Sequence, residues 1–226
     1  MTETQPEAEP PLPLVSPLSS ALMLPGLYVS YNVREGYRKY DGMGEYQHIS
    51  IPNPFMFGLS AGKRFALKNP RLRIQSALEL GWGGVDEGEY GMDILRSNYF
   101  TFGIQADAHL LFHTVARTFF LSAGPGLHAT SYGWTLKESS SGREVDRAAK
   151  GTTASPSLNV GAGMEYMVSN QRAVSVGYNL RFWRTAHYTE AGALFPMGID
   201  YREYFFSHSL QVQILMPALR HGGRFQ

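Results

Sequence analysis

Residues 72 to 82 read Leu-Arg-Ile-Gln-Ser-Ala-Leu-Glu-Leu-Gly-Trp, and two alternating sets of residues share the stretch. Every second position from the start gives Leu72, Ile74, Ser76, Leu78, Leu80 and Trp82; between them lie Arg73, Gln75, Ala77, Glu79 and Gly81. A strict period of two predicts an extended strand whose side chains alternate between two environments. The outer face of a soluble sheet carries bulky polar residues such as Lys, Thr and Glu. Here the non-apolar set mixes Gly and Ala with single Arg and Glu residues, which suits the cramped interior of a narrow barrel whose apolar side meets lipid.

The same alternation recurs along the chain. Leu27, Val29, Tyr31 and Val33 alternate with Tyr28, Ser30 and Asn32, and Phe55, Phe57, Leu59 and Ala61 alternate with Met56, Gly58, Ser60 and Gly62. Phe100, Phe102, Ile104, Ala106, Ala108 and Leu110 oppose Thr101, Gly103, Gln105, Asp107 and His109, while Phe119, Leu121, Ala123 and Leu127 oppose Phe120, Ser122, Gly124, Gly126 and His128. Two further segments centre on Leu158 to Tyr166 and Val174 to Phe182, and the last sets Phe206, Leu210, Val212, Ile214 and Met216 against Ser207, Ser209, Gln211 and Gln213. That is about eight strands, each long enough for the ~9–11 residues with which a tilted strand crosses a bilayer.

Composition points the same way. With 226 residues the chain can form one sizeable domain, and 24 Gly with 13% aromatics fit a barrel of many strands. A net charge of +1 gives no nucleic-acid footprint. No run of ~18 apolar residues suggests a transmembrane helix, and the mean hydropathy of −0.21 does not exclude a barrel, which hides its apolar residues by alternation. The absence of cysteine removes disulfides, thiolate metal sites, a cysteine nucleophile and a lipidated cysteine.

Three segments are expected: a Pro-rich periplasmic tail over residues 1–24, the barrel over 25–216 and a short periplasmic tail over 217–226. Residues 1 to 11 are acidic and Pro-rich, and Pro13, Pro17 and Pro25 interrupt the weakly apolar stretch that follows, so it lacks the basic and continuous apolar regions of a secretory leader. A leader outside this chain is expected for an exported barrel. The tail reads as polyproline-like, with docking to an envelope protein as its functional alternative.

Connections alternate in length. Short links fall at Ala66 to Pro70, Phe112 to Arg117 and Ser169 to Arg172; long polar ones fall at Arg34 to Ser50, Gly83 to Asn98, Thr135 to Thr152 and Trp183 to Glu203. Outer-membrane barrels have short periplasmic turns and longer extracellular loops, which predicts periplasmic termini. Aromatics gather at the expected strand ends: Trp82, Tyr99, Phe100, Phe182, Trp183, Tyr204 and Phe206 towards the outside, and Phe65, Phe112, Phe119 and Tyr166 towards the periplasm. Rings at the headgroup level form such girdles.

In these features the chain resembles the small bacterial outer-membrane barrels of the OmpA transmembrane-domain and OmpX type. The resemblance covers roughly residues 25 to 216 and is architectural, with no single motif. It implies an all-β, eight-stranded antiparallel up-and-down transmembrane β-barrel with a plugged interior. One departure is the end of the last strand, where Met216 is followed by Pro217 and not by a terminal aromatic.

Ionisable residues inside a narrow lumen must pair or be hydrated. Counting from the periplasmic end puts Arg64, Arg73, Asp107, His109 and Glu165 in a lower layer, with Glu79 and Arg181 higher. A structural plug of salt bridges is the expected role; a gate or proton path is the alternative. No cofactor is expected. The acidic stretch Asp86, Glu87, Glu89 and Asp93 lacks the spacing of a calcium loop, and Gly124-Pro125-Gly126 and Gly161-Ala162-Gly163 lack the helix that a phosphate-binding loop requires.

A lipid A-modifying enzyme needs a catalytic constellation on the lipid face or outer rim. His208 and Ser209 are neighbours on one strand and so face opposite ways, while His48 and His187 lie in outer loops. The expected function is therefore non-enzymatic: an outer-membrane structural or interaction module with long extracellular loops and a plugged lumen, in contact with lipid and lipopolysaccharide. The alternatives are a subunit of an envelope, secretion or motility assembly docked through its tail or lipid face, and a lipid A-modifying enzyme.

Overall fold

The computed structural model describes residues 20–40, 44–49, 53–90, 93–114, 117–138, 141, 144–169, 172–189 and 199–217. Its strands are β1 (Ala21–Tyr40), β2 (Gln47–Ile49), β3 (Phe55–Ala66), β4 (Leu72–Tyr90), β5 (Asp93–His113), β6 (Arg117–Glu138), β7 (Glu144–Ser169), β8 (Arg172–Thr189) and β9 (Ile199–Pro217). Apart from the short β2, which pairs with the outer part of β1 at Gly36 to Arg38, consecutive strands pair antiparallel. β1 also pairs with β9, from Ala21↔Pro217 to Tyr40↔Ile199, so the eight long strands close into a barrel and no edge is left in the wall.

Alternation sets which side of the wall each residue takes. On β4, Leu78 is 52% exposed and Trp82 47%, whereas Arg73 and Glu79 between them are buried at 1% and 6%. The outward set on the other strands is equally apolar, with Leu27, Phe57, Ile104, Leu121, Leu158 and Leu210 all exposed. At roughly 25 cal/mol per Å² such a wall is unstable in water, and a continuous apolar belt of this kind requires lipid. Packing inside follows from size: a Cβ at Gly103 would sit 2.4 Å from His128 Nε2, and one at Gly163 would sit 2.4 Å from the Phe120 ring. The lumen glycines are where facing strands make room for large side chains.

Several boundaries differ from expectation. β1 begins at Ala21, inside the stretch read as tail, because Ala21 and Met23 join Ala77, Ala173 and Leu215 in a buried apolar cluster. A register shift between Met23 and Gly26, at Pro25, separates this start from the rest of the strand. β9 runs to Pro217. Residues 1–19 and 218–226, the rest of the expected tails, lie outside the described residues.

Among the described residues, parts of three of the long links are paired strand. β4 and β5 stay paired out to Tyr90↔Asp93, β6 and β7 to Lys137↔Glu144, and β8 and β9 to Thr189↔Ile199. Pairing there is local to each hairpin and needs no apolar face, so a hydrophobicity pattern does not reveal it. Proline interrupts the ladders at two points. The β5–β6 ladder has no pairs at Ala106 and Asp107, opposite Pro125 and Gly124, and resumes in the same register at Ala108↔Ala123, while the β7–β8 pairing ends at Ser157↔Trp183, next to Pro156. Proline has no N–H to give the ladder.

Candidate functional site: the charged lumen

Four arginines and four carboxylates are buried among the described residues: Arg34, Arg64, Arg73 and Arg181 with Glu79, Asp107, Glu165 and Glu203. All eight lie on inward-facing positions of their strands, and they form three tiers.

The lowest tier centres on Glu165 of β7. Arg64 of β3 donates to its Oε1 from Nη1 at 2.7 Å, and Arg73 of β4 donates to Oε2 from Nη1 at 2.9 Å. A further Arg73 contact runs from Nη2 to Oε1. Arg64 also reaches Gln75 Oε1 at 2.8 Å and Ser175 Oγ at 3.3 Å. His109 Nδ1 lies 3.1 Å from Arg73 Nη2, and since a guanidinium only donates, Nδ1 must accept and the imidazole proton sits on Nε2. The His109 ring stacks on Phe120 at 4.9 Å.

In the middle tier Arg181 of β8 donates to Glu79 of β4 at 2.9 Å and to Gln105 Oε1 at 2.6 Å. His128 Nε2 approaches the same glutamate at 3.5 Å, with its Nδ1 at 2.9 Å from Ser157 Oγ. Asp107 is held by Gln105 and by Asn159, whose Nδ2 donates at 3.3 Å. Asp107 therefore belongs with Arg181 and Glu79 through the shared Gln105, and not with the lower tier. Strand tilt is the physical reason: residues at equal count from one end of different strands do not stand at equal height.

The third tier closes the end of the lumen away from the chain termini. Arg34 of β1 meets Glu203 of β9 at 2.9 Å and also donates to the Tyr99 hydroxyl, while Thr185 Oγ1 donates to Glu203 at 3.1 Å. An aromatic layer separates this pair from the middle tier: Trp183 and Phe205 stack with centroids 4.8 Å apart, clustered with Met56, Tyr99 and Tyr132.

The lower tier carries two arginines to one glutamate and the middle tier one arginine to two carboxylates, so each is unbalanced alone and the two compensate together. Between them is a cavity of ≈ 20 Å³ bordered by Arg64, Asp107, His109 and Ser122, large enough for a water molecule. The attraction between such buried ions only roughly offsets their desolvation, so the arrangement adds register and occlusion more than net stability.

Alternation extends further than the expected strands at two places. Arg34 and Glu203 stand at the limits of the long links and carry on the inward parity of Ser30 and Asn32 and of Ser209 and Ser207. Of the expected girdle, Trp82, Phe100, Phe119 and Phe182 are exposed, and Tyr166 and Phe206 are half-buried. Trp183 does not belong to it: its side chain is 8% exposed and lies in the lumen, because its neighbour Phe182 faces out and successive strand residues take opposite sides. Tyr99, next to Phe100, is inside for the same reason. His48 packs edge-on against Tyr37 at 5.3 Å. The side chains of His187, Asp86, Glu87, Glu89 and Asp93 lie outside the described residues.

The closed barrel matches that of OprG, an outer membrane protein of Pseudomonas aeruginosa, with a TM-score of 0.50 and 11% identity over 85% of this chain and 95% of that one. The fold is that of the small outer-membrane barrels. Ail, the attachment invasion locus protein of Yersinia pestis, was solved with the heparin analogue sucrose octasulfate and is similar at a TM-score of 0.33 and 12% identity, covering 84% of this chain and 98% of its own. The outer membrane protease OmpT of Escherichia coli is similar at 0.41 and 9%, covering 88% and 97%. No protein-family model and no curated protein sequence matches the chain. At these identities the likeness is one of fold.

Proposed function

We propose that the protein is a non-enzymatic outer-membrane module with a plugged lumen that carries no large, stable conductance, with its termini in the periplasm and the β1–β2, β4–β5, β6–β7 and β8–β9 hairpins presented outside. The observation that carries this reading is the spanning of the lumen by ion pairs between opposite walls, Arg64 to Glu165 and Arg181 to Glu79. A solute passing through must break both, leaving charges unpaired in a space with little room for water. What remains available for function is the outer wall and the hairpins, surfaces suited to holding lipid or partners.

Planar bilayer recordings of the refolded barrel test it. Small, flickering currents are expected. Large and stable conductance contradicts the plugged reading.

A further inference from the structure

On the lipid side of β8 and β9, within the apolar belt, His208 and Tyr178 face outward together. Tyr178 shares a hydrogen bond with His208 Nδ1 at 2.5 Å, and Phe206 packs edge-on against the imidazole at 4.4 Å, fixing the ring. Among the described residues none hydrogen-bonds Nε2. The flanking positions are Leu180 and Tyr31, which pair with His208, and Leu210 two residues below. A polar ring atom facing hydrocarbon is costly without a partner, and polar groups kept at such depth mark binding.

Above this pair the same outward face carries two exposed arginines. Arg184 pairs across the ladder with Tyr204, so Arg202 stands on the diagonal from it, about 7–8 Å between backbones. Arg202 stacks over Tyr46 at 4.2 Å and lies 3.9 Å from Asp200, which steadies it without removing its exposure. Arg184 stands four positions above His208 by register, about 13 Å along a tilted strand and less in depth.

Two cations at the rim and a hydrogen-bonding imidazole one layer deeper match an amphiphile with an anionic head and a polar group near the top of its acyl chains. We propose that the β8–β9 face holds one molecule of a phosphorylated outer-leaflet lipid, its phosphate between Arg184 and Arg202 and an ester, amide or hydroxyl of its acyl region on His208 Nε2. Guanidinium groups bind phosphate through charge-assisted hydrogen bonds, and Tyr178 sets the direction of the imidazole. The site rests on the reading that this end of the barrel lies in the outer leaflet. Its binding is measurable on the isolated barrel, whatever the orientation in cells.

The test is native mass spectrometry of the folded barrel in dodecyl maltoside with bisphosphorylated hexa-acyl lipid A as the probe. The wild-type protein is expected to retain a lipid adduct that is lost about tenfold more readily by His208→Phe, which removes one buried hydrogen bond, and more readily still by Arg184→Gln with Arg202→Gln, which removes two charge-assisted contacts. Phe102→Leu on the far wall is expected to bind like wild type. Lipid A stripped of its phosphates, offered to the wild-type protein, needs no variant to fold and is expected to bind as weakly as the arginine double variant. Equal retention of the stripped and intact lipid, equal retention by every folded variant, or a protein dimer in place of the adduct overturns the proposal.

Discussion

Arg181 of β8 grips Glu79 of β4 with both ends of its guanidinium: Nη2 donates to Oε1 at 2.9 Å, and Nη1 lies 2.7 Å from Oε2. The two strands stand four places apart in a ring of eight long strands, so the pair crosses the full width of the lumen.

Removing one partner of this pair is expected to cost more than removing both. Glu79→Gln leaves Arg181 buried at 7% exposure with its charge uncompensated on that side, a loss of about 3–5 kcal/mol. Glu79→Leu combined with Arg181→Met restores neutrality and volume and is expected to recover much of it. Urea unfolding in lipid vesicles, analysed as a double-mutant cycle, gives the comparison.

Glu165 compensates two arginines, so Glu165→Gln is expected to destabilise the barrel more than Arg64→Gln does. The first leaves both Arg64 and Arg73 without a carboxylate; the second leaves the Arg73 pair in place. The same unfolding measurement orders the two variants, and the reverse order would show that the lower tier is not built around the glutamate.

The two faces of β8 separate Phe182 from Trp183. Trp183→Ala empties a packed layer against Phe205 and is expected to cost about 3–5 kcal/mol, while Phe182→Ala on the lipid side costs less. Brominated lipid supplies an independent reading. It is expected to quench Trp82, which faces out, and to spare Trp183.

How far the sequence disclosed this molecule depends on whether a residue's environment repeats. Lipid on one side and lumen on the other impose a period of two over the spanning segments, and Leu72 to Trp82 showed it without ambiguity. Beyond Asn32 and Ser207 the parity continues to Arg34 and Glu203, but it runs into long polar links whose composition masks it. Arg34 and Glu203, inward-facing and paired, therefore look like loop residues in the sequence. Trp183 has a ring type that fits a girdle, and only its parity with Phe182 assigns it to the lumen. Tier membership needed coordinates. Asp107 and His109 are two residues apart on one strand, yet strand tilt and side-chain reach join one to Gln105 and the other to Arg73.

Orientation is tested from outside. Protease added to intact cells is expected to cut only in the four long connections, at the β1–β3, β4–β5, β6–β7 and β8–β9 ends, and to leave Ala66 to Pro70 and Ser169 to Arg172 whole. Cleavage in those short turns from the outside would invert the topology.

The central claim is that apolar residues of this barrel face lipid and charged ones face the lumen. Leu78 and Leu80 are outward at 52% and 39% exposure, with Glu79 between them at 6%. Arg at position 78 or 80 is therefore expected to cost ~2–4 kcal/mol near the bilayer middle. A water-soluble core would also resist it, so the deciding measurement is a nitroxide label placed in turn at 78, 79 and 80 in lipid vesicles. Oxygen dissolved in lipid is expected to relax the labels at 78 and 80 and to leave the label at 79 shielded. Equal shielding at all three positions would contradict the transmembrane barrel.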